Sequence, residues 1–553
     1  MTFFRNFLIH CFRTSSVPVV SLGGAAFIIA LAGVLSRLLG FARDRLLAST
    51  FGAGDILDAY YAAFRLPDFI YGLLVLGALS AAFVPVFTEL IHKNDLKAAW
   101  RLTHNILLLL LLTLGSVSLL GMVFSSWVAG IVAPGFPPEK QMLVANLTRI
   151  MLLSPVLLAV SAVFGGVLIS LKRFLAYSLA PIFYNVGIIA GIVCFVPFFG
   201  TSGLAWGVVL GALLHVAIQY PAMRESGYSW KLFMKYPLLD ASTLQVIRLM
   251  IPRSLAMAIN QVSLLLVTIF ASTLASGSLA VVTLANNIQS VPLGLFGVSF
   301  AVAAFPVLAT LAAERSYQAF FDTFSKTIRR VAYFVIPLSG FIIVFRAEIV
   351  RVVLGTGAFN WEDTILTFQV LGLLSFSLFA QCFIPLFVRA FFALQNTRLP
   401  LIAAVIGELV HVGSMPWFLP RFEVLGLGLA FSLGAVIQLA VLYMLLRRRI
   451  PTFNDRLFLM PIFQIVLIAF LSAMVAQLSK GLFALTIDRL DTFAEVFVKL
   501  AIGLIIGITT YIALSAWYRL PEYLDVRRFI MQRVLRRPET VALTQDHPER
   551  GDW

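Results

Sequence analysis

Charged side chains stand in this chain where an apolar sequence has least reason to keep them. In Leu35-Ser36-Arg37-Leu38-Leu39-Gly40-Phe41-Ala42-Arg43-Asp44-Arg45, four charges fall within or at the end of an otherwise apolar run. A charge at bilayer depth costs roughly 2.5–3.5 kcal/mol on insertion scales, so one that is kept there is a candidate to bind something. Planar guanidinium forks bind phosphate oxygens in pairs, which suits Arg37 and Arg43 to an anionic, phosphate-bearing cargo. At helical spacing Gly33, Arg37, Gly40 and Asp44 share one face and Arg43 lies off it; the glycines are expected to admit close packing or a bend. The plainer alternative is that Arg43, Asp44 and Arg45 mark the outer end of a span and pair with one another or with neighbours.

A second segment opens with Asp55 and Asp58, continues as Phe64-Arg65-Leu66-Pro67-Asp68 and holds Gly72 and Gly77. Proline and glycine inside an apolar span predict a broken helix of the kind that lines a transporter cavity. The theme recurs at Asn286, Asn287, Gln289 and Pro292, and at Pro252-Arg253 with Asn260-Gln261 further on. Amides within a span serve equally as glue between helices. Glu408 and His411, three residues apart, share a helix face. A carboxylate in a membrane invites ion coupling, with a simple packing pair as the alternative. Catalytic motifs are absent: the chain has no HExxH, no GxSxG, no Walker A loop and no clustered carboxylates of a membrane glycosyltransferase. It therefore reads as no enzyme and needs no cofactor. Transport would draw on an ion gradient, the membrane potential or the cargo's own gradient. Cys11, Cys194 and Cys382 are scattered, which implies neither a disulfide framework nor a metal site.

The elements that must position these residues follow from composition. Of 553 residues 60% are hydrophobic and 12% charged, with a mean hydropathy of +0.96. Such a chain cannot hide its apolar surface in a water-facing fold. Its apolar stretches are long and continuous, which excludes a membrane β-barrel and predicts an all-α polytopic protein of about fourteen spans. The net charge of +15 follows from basic connections and implies no nucleic acid. Lys93, Lys97, Arg101, Lys172, Arg173, Lys231, Lys235, Arg315, Lys326, Arg329, Arg330, Arg398, Arg447, Arg448, Arg449 and Arg456 fall on one set of connections. The alternate set holds only Lys140, Arg421, Lys480 and Arg489. That asymmetry predicts a multi-pass cytoplasmic-membrane protein with both termini inside.

An internal repeat is also legible. Gly203-Leu-Ala-Trp-Gly resembles Gly428-Leu-Ala-Phe-Ser, and the run from Gly77 to Pro85 resembles that from Gly297 to Pro306, at offsets of roughly 220–226 residues. Duplication predicts two six-helix lobes, 25–223 and 243–449, after a cytoplasmic segment 1–24. A linker at 224–242, with Trp230, Lys231, Phe233 and Lys235, would join the lobes, and 450–518 would add two helices. The basic tail 519–553, with Arg527, Arg528, Arg533, Arg536 and Arg537, is expected to form a helix drawn to anionic lipid and then a disordered end.

Leu35 to Asp44, followed by Phe51-Gly-Ala-Gly54 and Asp58-Ala-Tyr-Tyr-Ala-Ala-Phe-Arg65-Leu-Pro67, closely resembles the lipid II flippase family (MurJ/MviN). That family lies within the multidrug, oligosaccharidyl-lipid and polysaccharide exporter superfamily. The likeness continues at Arg149-Ile-Met, Lys172-Arg173-Phe, Thr268 to Ser278 and Arg389-Ala-Phe-Phe-Ala-Leu-Gln-Asn-Thr-Arg398-Leu-Pro. The resemblance implies a V-shaped pair of lobes and a central cavity binding the head of undecaprenyl-diphosphate-linked peptidoglycan precursor, with the lipid tail in a groove. It places Arg37 and Arg43 at the family's two cavity arginines of the first span, and Asp44 and Asp58 at its acidic positions. Tyr71 and Gly72 stand where the family has paired arginines, and Asn287 where it has another; Arg65 or Arg253 would have to compensate. Implied partners are the lipid-linked diphosphate, membrane lipids and peptidoglycan-synthesis or division proteins, around a chain working as a monomer. Export of another lipid-linked oligosaccharide or amphipathic compound, or a membrane scaffold that no longer transports, are the competing readings.

Overall fold

The computed structural model describes residues 22–76, 82–229, 239–486 and 492–533, all as helices and short connections. The segment 1–21, Gly77, the linker residues Trp230, Lys231, Phe233 and Lys235, Arg489, and the tail with Arg536 and Arg537 lie outside the described residues, as do the side chains of Arg253 and Asn260. Among the described residues the helices fall into fourteen successive stretches, compatible with the expected number of spans. They are α1 (Leu22–Phe51), α2 (55–92, in several pieces), α3 (Leu96–Val123, continued by Ser125–Val132), α4 (Pro138–Ser170), α5 (Phe174–Phe199), α6 (Ser202–Glu225) and α7 (Ala241–Ser272). There follow α8 (Ser278–Ala313), α9 (Tyr317–Val344, continued by Arg346–Val353), α10 (Trp361–Phe376 and Leu378–Ala393, bent by 41°), α11 (Arg398–Phe422), α12 (Val424–Arg449), α13 (Asp455–Thr486) and α14 (Phe493–Trp517). Among the described residues ten of these are long and apolar enough to cross a membrane, eleven with the bent α10. The other three are α1, α2 and α7, the helices in which the sequence keeps charges, prolines and glycines. A shorter helix, α15 (Pro521–Arg533), opens the basic tail.

Three irregularities in the helices repeat with the sequence, whereas the π-helical stretch Gly191–Phe195 of α5 has no counterpart in α11. α2 is π-helical over Gly72–Leu76 and α8 over Leu293–Val298, starting 221 residues apart. α3 breaks at Phe124 and α9 at Phe345, again 221 residues on. α4 is interrupted at Leu152 and α10 at Ser377, 225 residues on. An extra residue per turn is seldom kept without a use, and π-bulges concentrate at functional sites. Here each pair marks the same place in two copies of one unit. The break in α2 has a local cause as well. Pro67 has no N–H to give the carbonyl of Ala63, and the Thr148 hydroxyl of α4 donates to that oxygen instead, at 3.4 Å.

Packing follows the same division. α1 lies on α5, α5 on α6, and α4 on both α6 and α3, while α8 and α9 lie on α10, and α10 and α11 on α12. Between α5 and α6 the backbones meet at glycines. A Cβ on Gly187 would strike Gly211, and one on Gly191 would strike Gly207. α7 sits between the two bundles, on α11 and on the π-stretch of α2, where Gln261 covers Gly72 so closely that a side chain there would overlap it. Helices α13 to α15 are fastened to α9 at both ends. Glu348 accepts from Lys480 at 2.9 Å with Lys499 at 3.8 Å. At the opposite end Arg329 donates to Glu522 at 2.6 Å and Arg330 to Asp525 at 2.9 Å.

Candidate functional site

Between the bundles lies a cavity of about 360 Å³. α1 contributes Arg43, α2 contributes Tyr60, Tyr61, Phe64, Arg65 and Asp68, α8 contributes Thr283, Asn286 and Asn287, and α11 contributes Glu408 and His411. Its aromatic side is a stepped wall: the Tyr60 ring meets Tyr61 edge-on at 5.5 Å and Phe64 at 5.0 Å. Two guanidinium groups and two carboxylates face the same space, so the chamber pairs cations with anions and is not simply basic.

Arg43 is held from behind. Its Nε and Nη2 both donate to Asp44 Oδ1, at 3.0 and 2.8 Å, and its Nη1 donates to Asn185 of α5 at 3.1 Å. Asn185 is itself fixed, donating to Ser36 and to the Pro181 carbonyl. Asp44 is 4% exposed and lies beside the cavity without lining it. Its second oxygen accepts from Asn287 Nδ2 of α8 at 2.9 Å, across the boundary between the bundles. Arg65 makes a second crossing, its Nε donating to Thr268 of α7 at 2.6 Å. The Arg65 crossing starts just past the break after Ala63, where the new helical piece Arg65–Tyr71 begins.

The remaining candidates fall in three places. Glu408 lines the cavity with its Oε2 3.2 Å from His411 Nδ1, so the spacing of three placed the two together as expected. Arg37 lies outside the cavity on the α8 side and donates to the Val291 carbonyl at 2.8 Å. Asp58, 1% exposed, is away from the cavity among the connections at the end of the molecule that carries few cations. Of the two expectations for the glycines of α1, close packing is corrected: a Cβ on Gly33 or Gly40 would meet nothing within 4 Å, so they border open space. Tyr71 and Gly72 do not line the cavity, whereas Asn287 does. Gln289 is fully buried elsewhere on α8.

At the cation-poor end the two bundles interlock. Asp58 accepts from the backbone N–H groups of Gly277 and Ala280, at 2.8 and 2.9 Å, and so caps the start of α8 from the other bundle. Lys140 of α4 bridges Asp58 at 2.8 Å and Asp55 at 2.6 Å, over the ring of Phe136. Ser276 donates to Asp55 as well. Around this knot Ala53 N–H donates to Asp363, Ala358 N–H to the Ser49 carbonyl, and Gly135 N–H to Ser272. Arg45 donates to the Val352 carbonyl and lies over the Phe493 ring. The connections 1–2 and 3–4 thus close against 7–8 and 9–10.

Of the residues singled out from the sequence, Arg43, Arg65, Asn287, the ion-coupling candidate Glu408 and its neighbour His411 line the cavity, as does Asp68 of the segment expected to break; Tyr60 and Tyr61 carry no charge to single them out. From the sequence Lys140 stands only as a topology marker, because its two partners come from a different helix. Among the described residues no cluster of three or more metal-ligating side chains occurs.

A family model described as lipid II flippase MurJ matches residues 47–490 of this chain. A probable lipid II flippase MurJ of Buchnera aphidicola subsp. Acyrthosiphon pisum (strain APS) is 29% identical over 501 residues, covering 88% of this chain and 95% of its own length. A lipid II flippase MurJ of Burkholderia cenocepacia is 27% identical over 429 residues, 75% and 82% of the two chains. Among solved structures, a lipid II flippase MurJ in an inward closed conformation superposes with a TM-score of 0.75 at 23% identity, covering 89% of this chain and 99% of that one. An inward-facing multidrug transporter of the MATE family superposes at 0.65 with 16% identity, covering 75% and 94%.

Proposed function

The chain belongs to the lipid II flippase MurJ family, and from that premise we propose that it moves undecaprenyl-diphosphate-linked peptidoglycan precursor across the cytoplasmic membrane by alternating access. It is a transporter and not an enzyme. The observation that carries the reading is a chamber between two bundles, with Arg43 facing it, beneath an interlocked end. The cation-rich end is cytoplasmic by the positive-inside rule, so the interlocked end is the outer one and the carrier is sealed outward. Arg43 and Arg65 hold the diphosphate. Arg37, outside the chamber toward the cytoplasmic half of α1 and α8, meets the head group on its way in. Asp58 serves the outer seal and not the cargo directly. Glu408 with His411 is the place where an ion would couple to the cycle. The chamber is complete within one chain, so a monomer suffices.

A second cargo, a related lipid-linked saccharide, is favoured by one observation. Where the family carries arginines this chain has Tyr71, Gly72 and Asn287, and its chamber balances two cations with Asp68 and Glu408. Arg43→Ala decides for or against the diphosphate grip. It is expected to abolish both complementation of flippase-depleted cells and binding of undecaprenyl diphosphate to the purified protein, at unchanged protein level. Full complementation by that variant refutes the proposal, whereas loss of binding with retained dependence on a different lipid-linked sugar selects the second cargo.

A further inference from the structure

We propose that Asp44 is a resident stand-in for the cargo's phosphate: it occupies one donor from each bundle while the chamber is empty, and the cargo releases it. The inference rests on the reading that Arg43 holds the diphosphate. Arg43 and Asn287 both line the chamber, one on α1 and the other on α8, yet both point donors at the same carboxylate, which stays behind them. Asp44 takes the Nε–Nη2 edge of the guanidinium, the edge that presents two parallel N–H groups to a phosphate. Asn185 occupies Nη1 and fixes the plane of the fork, so the guanidinium has little freedom to offer a different edge. A phosphate arriving from the chamber therefore competes with Asp44 for one edge, and the two anions repel each other at that distance.

Displacing Asp44 does more than free Arg43. The same carboxylate carries the bond to Asn287, so its withdrawal cuts a tie between the bundles. It also leaves the Asn287 amide free to donate into the chamber, toward the cargo. Asn287 lies seven residues along α8 from Ala280, about 10 Å at 1.5 Å per residue, beneath the cap that Asp58 places on the same helix. The tie is thus the inner layer of the outer seal, and it is held by two chamber-lining residues, Arg43 and Asn287, through the carboxylate behind them. An empty carrier keeps its bundles together through Asp44, and a loaded one exchanges that contact for the cargo. Asn287 and Asp44 are positioning residues in this account, acting through Arg43. The neutral side chain of Asn287 has a use here, since it accepts release from Asp44 without leaving a bare charge in the chamber.

The test uses full-length protein in nanodiscs with Cys11, Cys194 and Cys382 replaced by serine and spin labels at Glu139→Cys and Glu362→Cys, exposed positions at the outer ends of α4 and α10. Undecaprenyl diphosphate is the probe, and both affinity and the distance distribution are read. Asp44→Asn removes the competing charge and is expected to tighten binding about tenfold while lengthening the distances without lipid. Asn287→Leu cuts the tie and leaves the Arg43–Asp44 pair, so it is expected to lengthen the distances with no gain in affinity. In the unsubstituted background, adding the lipid moves the distribution in the same direction. Unchanged distances on adding the lipid, or equal or weaker binding by Asp44→Asn while Arg43→Ala still abolishes it, overturn the stand-in and leave the carrier reading intact. Binding that survives Arg43→Ala overturns the reading beneath it.

Discussion

Asp58→Asn tests whether the outer seal is a stored preference for one face of the membrane. The carboxylate is 1% exposed and accepts three bonds, from Lys140 Nζ at 2.8 Å and from two backbone N–H groups at the first turn of α8. Each bond to a buried charge is worth roughly 1.5–3 kcal/mol net, and removing one partner of a buried ion pair typically costs about 3–5 kcal/mol. In an outward-open carrier the same groups are in water, where the substitution matters little. The loss therefore falls on the sealed state. At 1.4 kcal/mol per factor of ten, the ratio of sealed to open carriers falls by roughly two to three and a half powers of ten. Asparagine nearly matches aspartate in shape, so the effect reports charge and not a cavity. Spin-label distances between Glu139→Cys and Glu362→Cys measure the ratio directly. The expected result is a second, longer population whose ratio to the sealed one rises over the parent's by roughly that factor. A distribution unchanged from the parent protein, in a variant that runs as a single species on gel filtration, would refute the reasoning, because it would mean that the seal draws its stability from elsewhere.

Two further outcomes follow from the same geometry. Gly277 has φ +88° and a Cβ there would collide with the Ala53 carbonyl, so Gly277→Ala is expected to shift the same distance distribution in the same direction as Asp58→Asn without altering any charge. Glu348→Gln leaves Lys480 and Lys499 facing each other with no carboxylate between them, which costs about 3–5 kcal/mol where α13 and α14 are pinned to α9; thermal unfolding in detergent should show a lower midpoint, and an unchanged midpoint would show that this clamp contributes nothing.

The architecture was legible because membrane helices announce themselves by composition over about twenty residues, and because the alternation of basic connections orders them. The duplication was legible in five-residue fragments, and the structure extends it to the helix breaks at Phe124 and Phe345, which no residue type signals. The chamber was legible in part. Arg43, Arg65 and Glu408 are conspicuous, since a charge within an apolar run stands out whatever its partner. What the sequence hides is the partner. Asp44 follows Arg43 in the chain and was easily read as its neighbour, but its second oxygen is held by Asn287, 243 residues away. Asp58 looked like a cavity residue for the same reason that it makes a good cap: an acid near the start of a span suits water, cargo and a foreign helix terminus alike. Only the approach of Gly277 and Ala280 decides among them.

Seen from α8, these contacts form one device. The helix begins under Asp58, is tied to Asp44 about 10 Å further on, and turns π-helical at Leu293 after Pro292, just beyond the Arg37 contact at Val291. Three side chains of the first bundle thus grip one helix of the second at Ala280, Asn287 and Val291, about two turns and then one turn apart, and each grip differs in who can undo it. On the proposed topology the Arg37 bond to the Val291 carbonyl lies toward the cytoplasmic half, where an approaching head group would meet it first. The Asp44 bond lies behind Arg43 and Asn287 and, in the proposed cycle, is given up when an anion in the chamber takes the Arg43 guanidinium. The Asp58 cap is buried under Lys140 and yields only when the bundles part. In the proposed cycle, cargo moving from the cytoplasmic side outward along α8 would therefore release the grips in order, and an empty carrier would restore them in reverse. The order matters physically, because a seal that opened before the chamber was filled would let ions through, whereas one undone from the cargo side first couples opening to occupancy.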